Sequence, residues 1–122
     1  MSYRDIIKKV LSEYSLMLGI RDNVKVRVRR YKTRAASSNI TTGTIYINKD
    51  LLDLGEDVIR YLVLHELVHI KLRSRYHDER FYTTLYFFMP PEEVDAIREV
   101  IMKRILQNYV MNRKSHSGLR EA

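Results

Sequence analysis

The chain has 122 residues, a formal net charge of +7, 45% hydrophobic residues and no cysteine. This length suits one domain with its own hydrophobic core, and the lack of cysteine excludes disulfides and thiolate metal sites. No apolar run reaches the ~18 residues of a membrane-spanning helix, and the N-terminus lacks the apolar core of a signal peptide. We therefore expect a soluble cytoplasmic protein, with one domain in residues 1–112 and a flexible basic tail in residues 113–122.

The first two predicted elements are a helix and a strand. Ser2 and Asp5 are typical of a helix start, apolar residues follow at helical spacing, and Gly19 is expected to end the helix. Residues 24–29 alternate apolar and basic, which predicts a half-buried strand. Its basic residues form either an ordinary solvated face, which we favour, or a surface that attracts an acidic substrate. They are Lys25, Arg27 and Arg29.

A second strand is predicted over residues 44–48, which are rich in strand-forming residues. We expect it to pair antiparallel with the first strand, and the polar run 31–42 between them to form a loop. Asn48 and Asp50 are expected to close the strand and cap a turn rather than take part in chemistry.

The central helix begins at Gly55-Glu56-Asp57 and carries the sequence His65-Glu66-Leu67-Val68-His69. Positions i and i+4 share one face of a helix, so His65 and His69 can bind one metal ion, which we interpret as zinc. Glu66 can reach a water molecule beside the ion without being a ligand, as a general base must. The competing interpretation is that both histidines are hydrogen-bonded residues of the core.

Two histidines leave a zinc ion coordinatively unsaturated, and catalytic sites usually add a third protein ligand. His77 is the first candidate, with Asp78 and Glu79 as competitors, at a point where a further helix opens. A last helix is predicted after Pro90-Pro91. His116 lies in the polar tail, and we interpret it as incidental.

Four segments also match, in order, the motifs of a known family. They are Lys32-Thr33-Arg34, Ile45-Tyr46-Ile47-Asn48, Tyr61 to His69, and His77 to Phe81. These segments resemble the YgjP-like zinc metallopeptidases, small zincins related in layout to SprT-like proteases. The resemblance implies an α+β fold of minimal zincin type, with an N-terminal helix, a small antiparallel sheet, a central HExxH helix and C-terminal helices. It also implies one zinc ion per chain.

Two departures from the family pattern bear on the site. Ala35-Ala36-Ser37-Ser38 stands where the family has W-G-S-C, and His77 lies further from His69 than the family spacing. Because Phe81 follows His77 at the family spacing, the resemblance assigns the third metal ligand to His77. Arg34 matches the family arginine.

The leading hypothesis is hydrolysis of peptide bonds, with Glu66 as general base and strand 44–48 as an edge strand that pairs with the substrate. Candidates for stabilising the oxyanion are Tyr76, Tyr82, Arg80 and Arg34. One alternative is a catalytically inactive metal-binding module, although such a module would need no base at Glu66. The other is a DNA-associated protease of the SprT-like kind, bound through its basic surface.

Overall fold

Four α-helices and a three-stranded sheet make up the described part of the chain, which comprises the backbone of residues 2–121 and the side chains of residues 2–112. The structure is a computed structural model. The predicted α+β class and order of helices are confirmed, while the sheet differs from the prediction. In chain order the elements are α1 (Tyr3–Met17), β1 (Lys25–Arg29), β2 (Ala36–Asn39), β3 (Thr44–Asn48), a 3-10 helix (Lys49–Leu54), α2 (Glu56–Leu72), α3 (Glu79–Phe88) and α4 (Pro91–Glu121).

Helix α1 begins and ends where the sequence predicts. The Ser2 hydroxyl caps it by accepting a hydrogen bond from the backbone N–H of Asp5, at 3.3 Å. Gly19 follows its last turn with a φ of 67°, in the left-handed region that glycine adopts without strain. The helix packs against α2 and buries Ile7 and Val10, so it covers one side of the core.

Strand β3 lies in the centre of the sheet, between β1 and β2. The prediction that β1 and β3 pair antiparallel is wrong, because they run parallel, from Lys25 beside Thr44 to Arg29 beside Asn48. The segment 31–42, expected to be a loop, contains β2, and it is β2 that pairs antiparallel with β3. Because β2 lies between β1 and β3 in the sequence, the chain reverses its direction twice, and β1 and β3 therefore run parallel.

The turn between β2 and β3 explains this extra reversal. The side-chain oxygen of Asn39 accepts hydrogen bonds from the backbone N–H groups of Thr41 and Thr42, at 3.0 and 3.1 Å. Gly43 then takes a φ of 69° and donates its N–H to the carbonyl of Asn39. An Asx turn followed by a left-handed glycine closes a short hairpin.

Asn48, only 2% exposed, ties the end of β3 to the loop before β2. Its Nδ2 donates to the backbone carbonyls of Tyr31 and Arg34, at 3.3 and 2.9 Å. Its Oδ1 accepts the backbone N–H of Asp50 at 3.0 Å and so caps the 3-10 helix. The predicted structural role of Asn48 is confirmed.

Helix α2 runs through the middle of the molecule. It packs against the other three α-helices, β2, β3 and the 3-10 helix. Its apolar residues are buried on several sides, and Val63, Leu64, Leu67 and Val68 are each 0% exposed. Burial of such a side chain stabilises the fold by about 1.5–3 kcal/mol, so the helix holds its polar residues in a fixed orientation.

Helices α3 and α4 both pack against α2. Asp78 caps α3 by accepting the backbone N–H of Phe81 at 3.1 Å. A break at Pro90 separates α3 from α4, which begins at Pro91, and Val94, Ile97 and Ile101 of α4 join the core. Residues 113–122, expected to form a flexible tail, and His116 within them lie outside the described side chains. Within the described chain, none of the helices combines the length and hydropathy required to cross a membrane.

Candidate metal centre

Helix α2 presents His65 and His69 on one face, one turn apart, with their ring centroids separated by 5.1 Å. His69 is 6% exposed, and the side chain of His65 is 20% exposed. Both rings point out of the core toward the loop that joins α2 to α3, since His77 of that loop contacts both of them.

His77 reaches the two helical histidines because the chain reverses sharply after α2. Arg73 ends the helix in the left-handed conformation, with a φ of 50°, and the Ser74 N–H bonds the carbonyl of His69. The Nε2 atom of His77 lies 3.1 Å from the Nε2 atoms of both His65 and His69. The structure thus brings together the three predicted ligands, while their binding of a metal stays a prediction.

The distances from His77 to the two helical histidines fit the ligand spacing of a tetrahedral zinc ion. With Zn–N bonds of about 2.0–2.1 Å, two tetrahedral ligand atoms lie roughly 3.3–3.4 Å apart, close to the observed 3.1 Å. The Nδ1 atom of His69 lies 2.8 Å from the carbonyl oxygen of Ser74, to which only a protonated Nδ1 can donate. This leaves the Nε2 lone pair of His69 directed at the site.

Phe81, fully buried in the first turns of α3, packs against all three imidazoles. Its ring centroid lies 4.5 Å from that of His69 and 4.8 Å from those of His65 and His77. The aromatic contact restricts the rotation of each ring and so orients the set.

Electrostatics keep the helical histidines neutral at pH 7. Burial, with smaller effects from the charges of His69, His77 and Arg98, lowers the pKa of His65 to about 3. Burial also lowers the pKa of His69, against the opposing hydrogen bond to Ser74. A neutral imidazole is the form that binds a metal ion.

Glu66 is a buried carboxyl beside this set. It is 6% exposed, and its Oε2 atom lies 3.8 Å from Nε2 of His65. Burial raises the pKa of Glu66 to about 7, while a hydrogen bond with the Ser38 side chain of β2 acts in the opposite direction. A carboxyl with a pKa near 7 can both take and give a proton at neutral pH.

The competing ligand candidates have other roles or positions. Asp78 is the N-cap of α3, and the three-residue group that could hold an ion does not include Glu79. Among the oxyanion candidates, Arg80 donates to the carbonyl of Leu72, and Tyr76 is 76% exposed. Tyr82 lines a cavity beside His65 and His77.

The sequence analysis missed three residues at the site. They are Ser38, which contacts Glu66; Arg98, which lines the same cavity as Tyr82; and Phe81 as a packing residue. Of these, only Phe81 could have been recognised from the sequence, through its spacing from His77.

The mixed α+β fold around a buried helix is zincin-like, a fold of metallopeptidases, and its three imidazoles could hold a metal ion. The solved metallopeptidase zymogen abylysin of Pyrococcus abyssi superposes with a TM-score of 0.74 at 31% identity, covering 80% of this chain and 93% of that one. The metallopeptidase zymogen jannalysin of Methanocaldococcus jannaschii gives a TM-score of 0.72 at 28% identity, covering 80% and 88%.

Sequence comparisons identify relatives of the chain and its family. The uncharacterized protein MJ1213 of Methanocaldococcus jannaschii is 36% identical over 101 residues, which cover 80% of this chain and 91% of that protein. The uncharacterized protein MJ0123 of the same organism is 28% identical over 101 residues, covering 82% and 92%. The family model of the YgjP-like metallopeptidase domain matches residues 1–99. The chain belongs to the YgjP-like metallopeptidase family.

Proposed function

We propose that this protein is a zinc-dependent peptidase that binds one zinc ion through His65, His69 and His77 and uses Glu66 as its general base. The observation that carries the proposal is that Nε2 of His77 lies 3.1 Å from Nε2 of both His65 and His69, with the Glu66 carboxylate 3.8 Å from Nε2 of His65. A bound zinc ion lowers the pKa of water to about 7 and polarises a carbonyl oxygen.

The chain's own groups supply the proton transfers. The Glu66 carboxylate takes a proton from the attacking water and passes it to the nitrogen of the leaving amine. Its raised pKa, near 7, suits both steps. The Ser38 hydroxyl holds the carboxylate in place, and the burial of Glu66 prevents bulk water from competing for the proton.

The substrate is expected to bind along β2 rather than β3. The prediction that strand 44–48 is the substrate-binding edge is wrong, because β3 is the central strand of the sheet. β2 is an edge strand, packs against α2, and places Ser38 beside Glu66. An extended peptide paired with the free edge of β2 would therefore pass close to the general base, held mainly by main-chain hydrogen bonds.

The proposal is tested with Glu66→Gln, which keeps the size of the side chain and removes the base. Zinc content per chain, measured by mass spectrometry of the metal, should match the wild type, while hydrolysis of an unfolded protein substrate should fall by roughly 10²–10⁴-fold. Glu99→Gln, an exposed position on α4, serves as the control and should change neither. Cleavage by Glu66→Gln at the wild-type rate would remove the base assignment.

The same measurements distinguish an active peptidase from the alternative, a catalytically inactive metal-binding module. Because abylysin and jannalysin were solved as zymogens, turnover of this chain is measured before and after limited proteolysis. A wild-type protein that holds one zinc ion and cleaves no substrate in either form would be a metal-binding module.

A further inference from the structure

A cavity of about 220 Å³ opens directly beside the candidate metal centre, between α2, α3 and α4. His65 and His77 form one of its walls. Any group that enters it therefore lies next to the position at which a peptide bond would be hydrolysed.

Arg98 of α4 forms another wall of this cavity. It makes no hydrogen bond or ion pair with any residue whose side chain the structure describes. An unpaired guanidinium in a cavity next to a metal centre favours an anionic occupant, which it can bind with two parallel hydrogen bonds.

Tyr61 supplies a second donor. Its hydroxyl oxygen lies 3.2 Å from Nδ1 of His65. When Nε2 of His65 binds a metal, the ring proton resides on Nδ1 and is donated to the Tyr61 oxygen. The hydroxyl hydrogen of Tyr61 is then free for another acceptor.

Two aliphatic residues and the Tyr82 ring complete the lining. Leu85 and Val94 are each 1% exposed and face the cavity from α3 and α4. Their apolar surfaces suit the methylene groups of a short side chain.

We propose that this cavity is a substrate subsite that binds a carboxylate of the peptide, through the Arg98 guanidinium and the Tyr61 hydroxyl. The inference rests on the proposed peptidase function and adds a substrate class to it. The carboxylate belongs either to a glutamate or aspartate side chain near the scissile bond or to the C-terminus of a short peptide. Both sources offer the same two oxygens to the same donors.

Binding is measured first, so that the subsite is tested without turnover. Zinc-loaded Glu66→Gln protein is titrated calorimetrically with matched peptides that differ only in Glu against Gln, and with peptides that end in a free carboxylate against an amide. Loss of a charged hydrogen-bonding partner at a partly exposed site weakens binding by roughly tenfold or more. We therefore expect one of the two carboxylate peptides to bind at least tenfold more tightly than its uncharged partner, and that arm identifies the source.

The variants assign the effect to Arg98. In the Glu66→Gln background, Arg98→Ala should abolish the preference, Arg98→Lys should retain part of it, and Tyr61→Phe should reduce it. Lys103→Ala removes an equal charge from an exposed position on the same helix and should leave the preference intact. In the otherwise wild-type enzyme, Arg98→Ala should raise KM for the carboxylate substrate with little change in kcat.

Equal binding of both members of each peptide pair would overturn the proposal, as would a preference that survives Arg98→Ala. Circular dichroism checks that each variant folds. Arg98 is exposed, so its replacement is not expected to unfold the chain. A carboxylate preference in binding without turnover in the wild type would leave the subsite standing and remove the peptidase function, so the two failures are distinguishable.

Discussion

The Nε2 atoms of His69 and His77 lie 3.1 Å apart, although His69 belongs to a buried helix and His77 to the loop that follows it. The left-handed Arg73 reverses the chain between them, and the Asp78 cap fixes where the next helix begins. The third candidate ligand is therefore positioned by the backbone on both sides of it.

His77→Ala should lower zinc affinity by more than the roughly 10–100-fold that follows loss of a residue that only orients a ligand. Asp78→Asn keeps the helix cap, and Glu79→Gln removes the other acidic candidate, so both serve as controls with expected wild-type affinity. Competition with a chromophoric zinc chelator measures all three. Unchanged affinity in His77→Ala together with a loss in either control would move the third ligand to an acidic residue.

Phe81→Ala should destabilise the fold by about 3–5 kcal/mol, the usual cost of removing a fully buried aromatic ring. It should also loosen the imidazoles that the ring contacts, at 4.5 Å for His69. Phe81→Leu keeps most of the volume, so a smaller loss of stability is expected. Zinc binding should weaken, because leucine has no ring to stack on that of His69.

Urea unfolding of the metal-free protein gives the stability change, and chelator competition gives the zinc affinity. Full zinc affinity in Phe81→Leu would show that Phe81 fills space without orienting the ligands.

The difference between Phe81 and Ser38 shows what periodicity can and cannot predict. Helical spacing of apolar residues is a direct consequence of burying one face, so the helices and the His65–His69 pair could be predicted from the sequence. β2 is short and polar, with Ser37, Ser38 and Asn39, and a strand without alternation leaves no such pattern. Its contact with Glu66 could not be predicted for that reason.

The position of Arg98 was beyond sequence analysis for a different reason. Periodicity assigns Val94 and Ile97 to the buried side of α4, and both are buried. It does not say which part of the molecule the flank of that helix faces. That depends on how α4 packs against α2, which is a long-range property of the fold.

Glu66→Gln should make the metal-free protein more stable above pH 7. The pKa of Glu66 is raised from 4.5 to about 7 in the folded chain, so ionising it there costs free energy that the unfolded chain does not incur. Below pH 4.5 the residue is protonated in both states, and this cost is absent. The gain from Glu66→Gln should therefore appear as pH rises from about 4.5 to 7 and reach about 3 kcal/mol.

Urea unfolding of chelator-treated protein across this range measures the effect. The His65 pKa near 3 lies below the window, so His65 does not titrate within it in the folded chain. Glu99→Gln, at an exposed ion pair, should change stability by less than about 1 kcal/mol at every pH. A stability difference for Glu66→Gln that is constant with pH would show that the carboxyl is not held at a raised pKa.

Binding of nucleic acid through the basic surface stays a prediction, and the exposed basic face of β1 is one place to test it. The basic face of β1 is exposed and consists of Lys25, Arg27 and Arg29. The guanidinium of Arg29 lies 4.1 Å from the ring centroid of Tyr46 on the neighbouring strand.

If the basic side chains of β1 contact phosphates, retention on a DNA column should fall steeply with salt, with a slope of about −0.9 per contact for duplex DNA. Replacing all three residues with alanine should then make the salt dependence shallower, by the equivalent of up to about three phosphate contacts. Its peptidase turnover should be unchanged, because β1 and the β2 edge lie on opposite sides of β3. Elution of the wild type without retention at low salt would identify the stripe as a solvated face that keeps an edge strand from pairing with other chains.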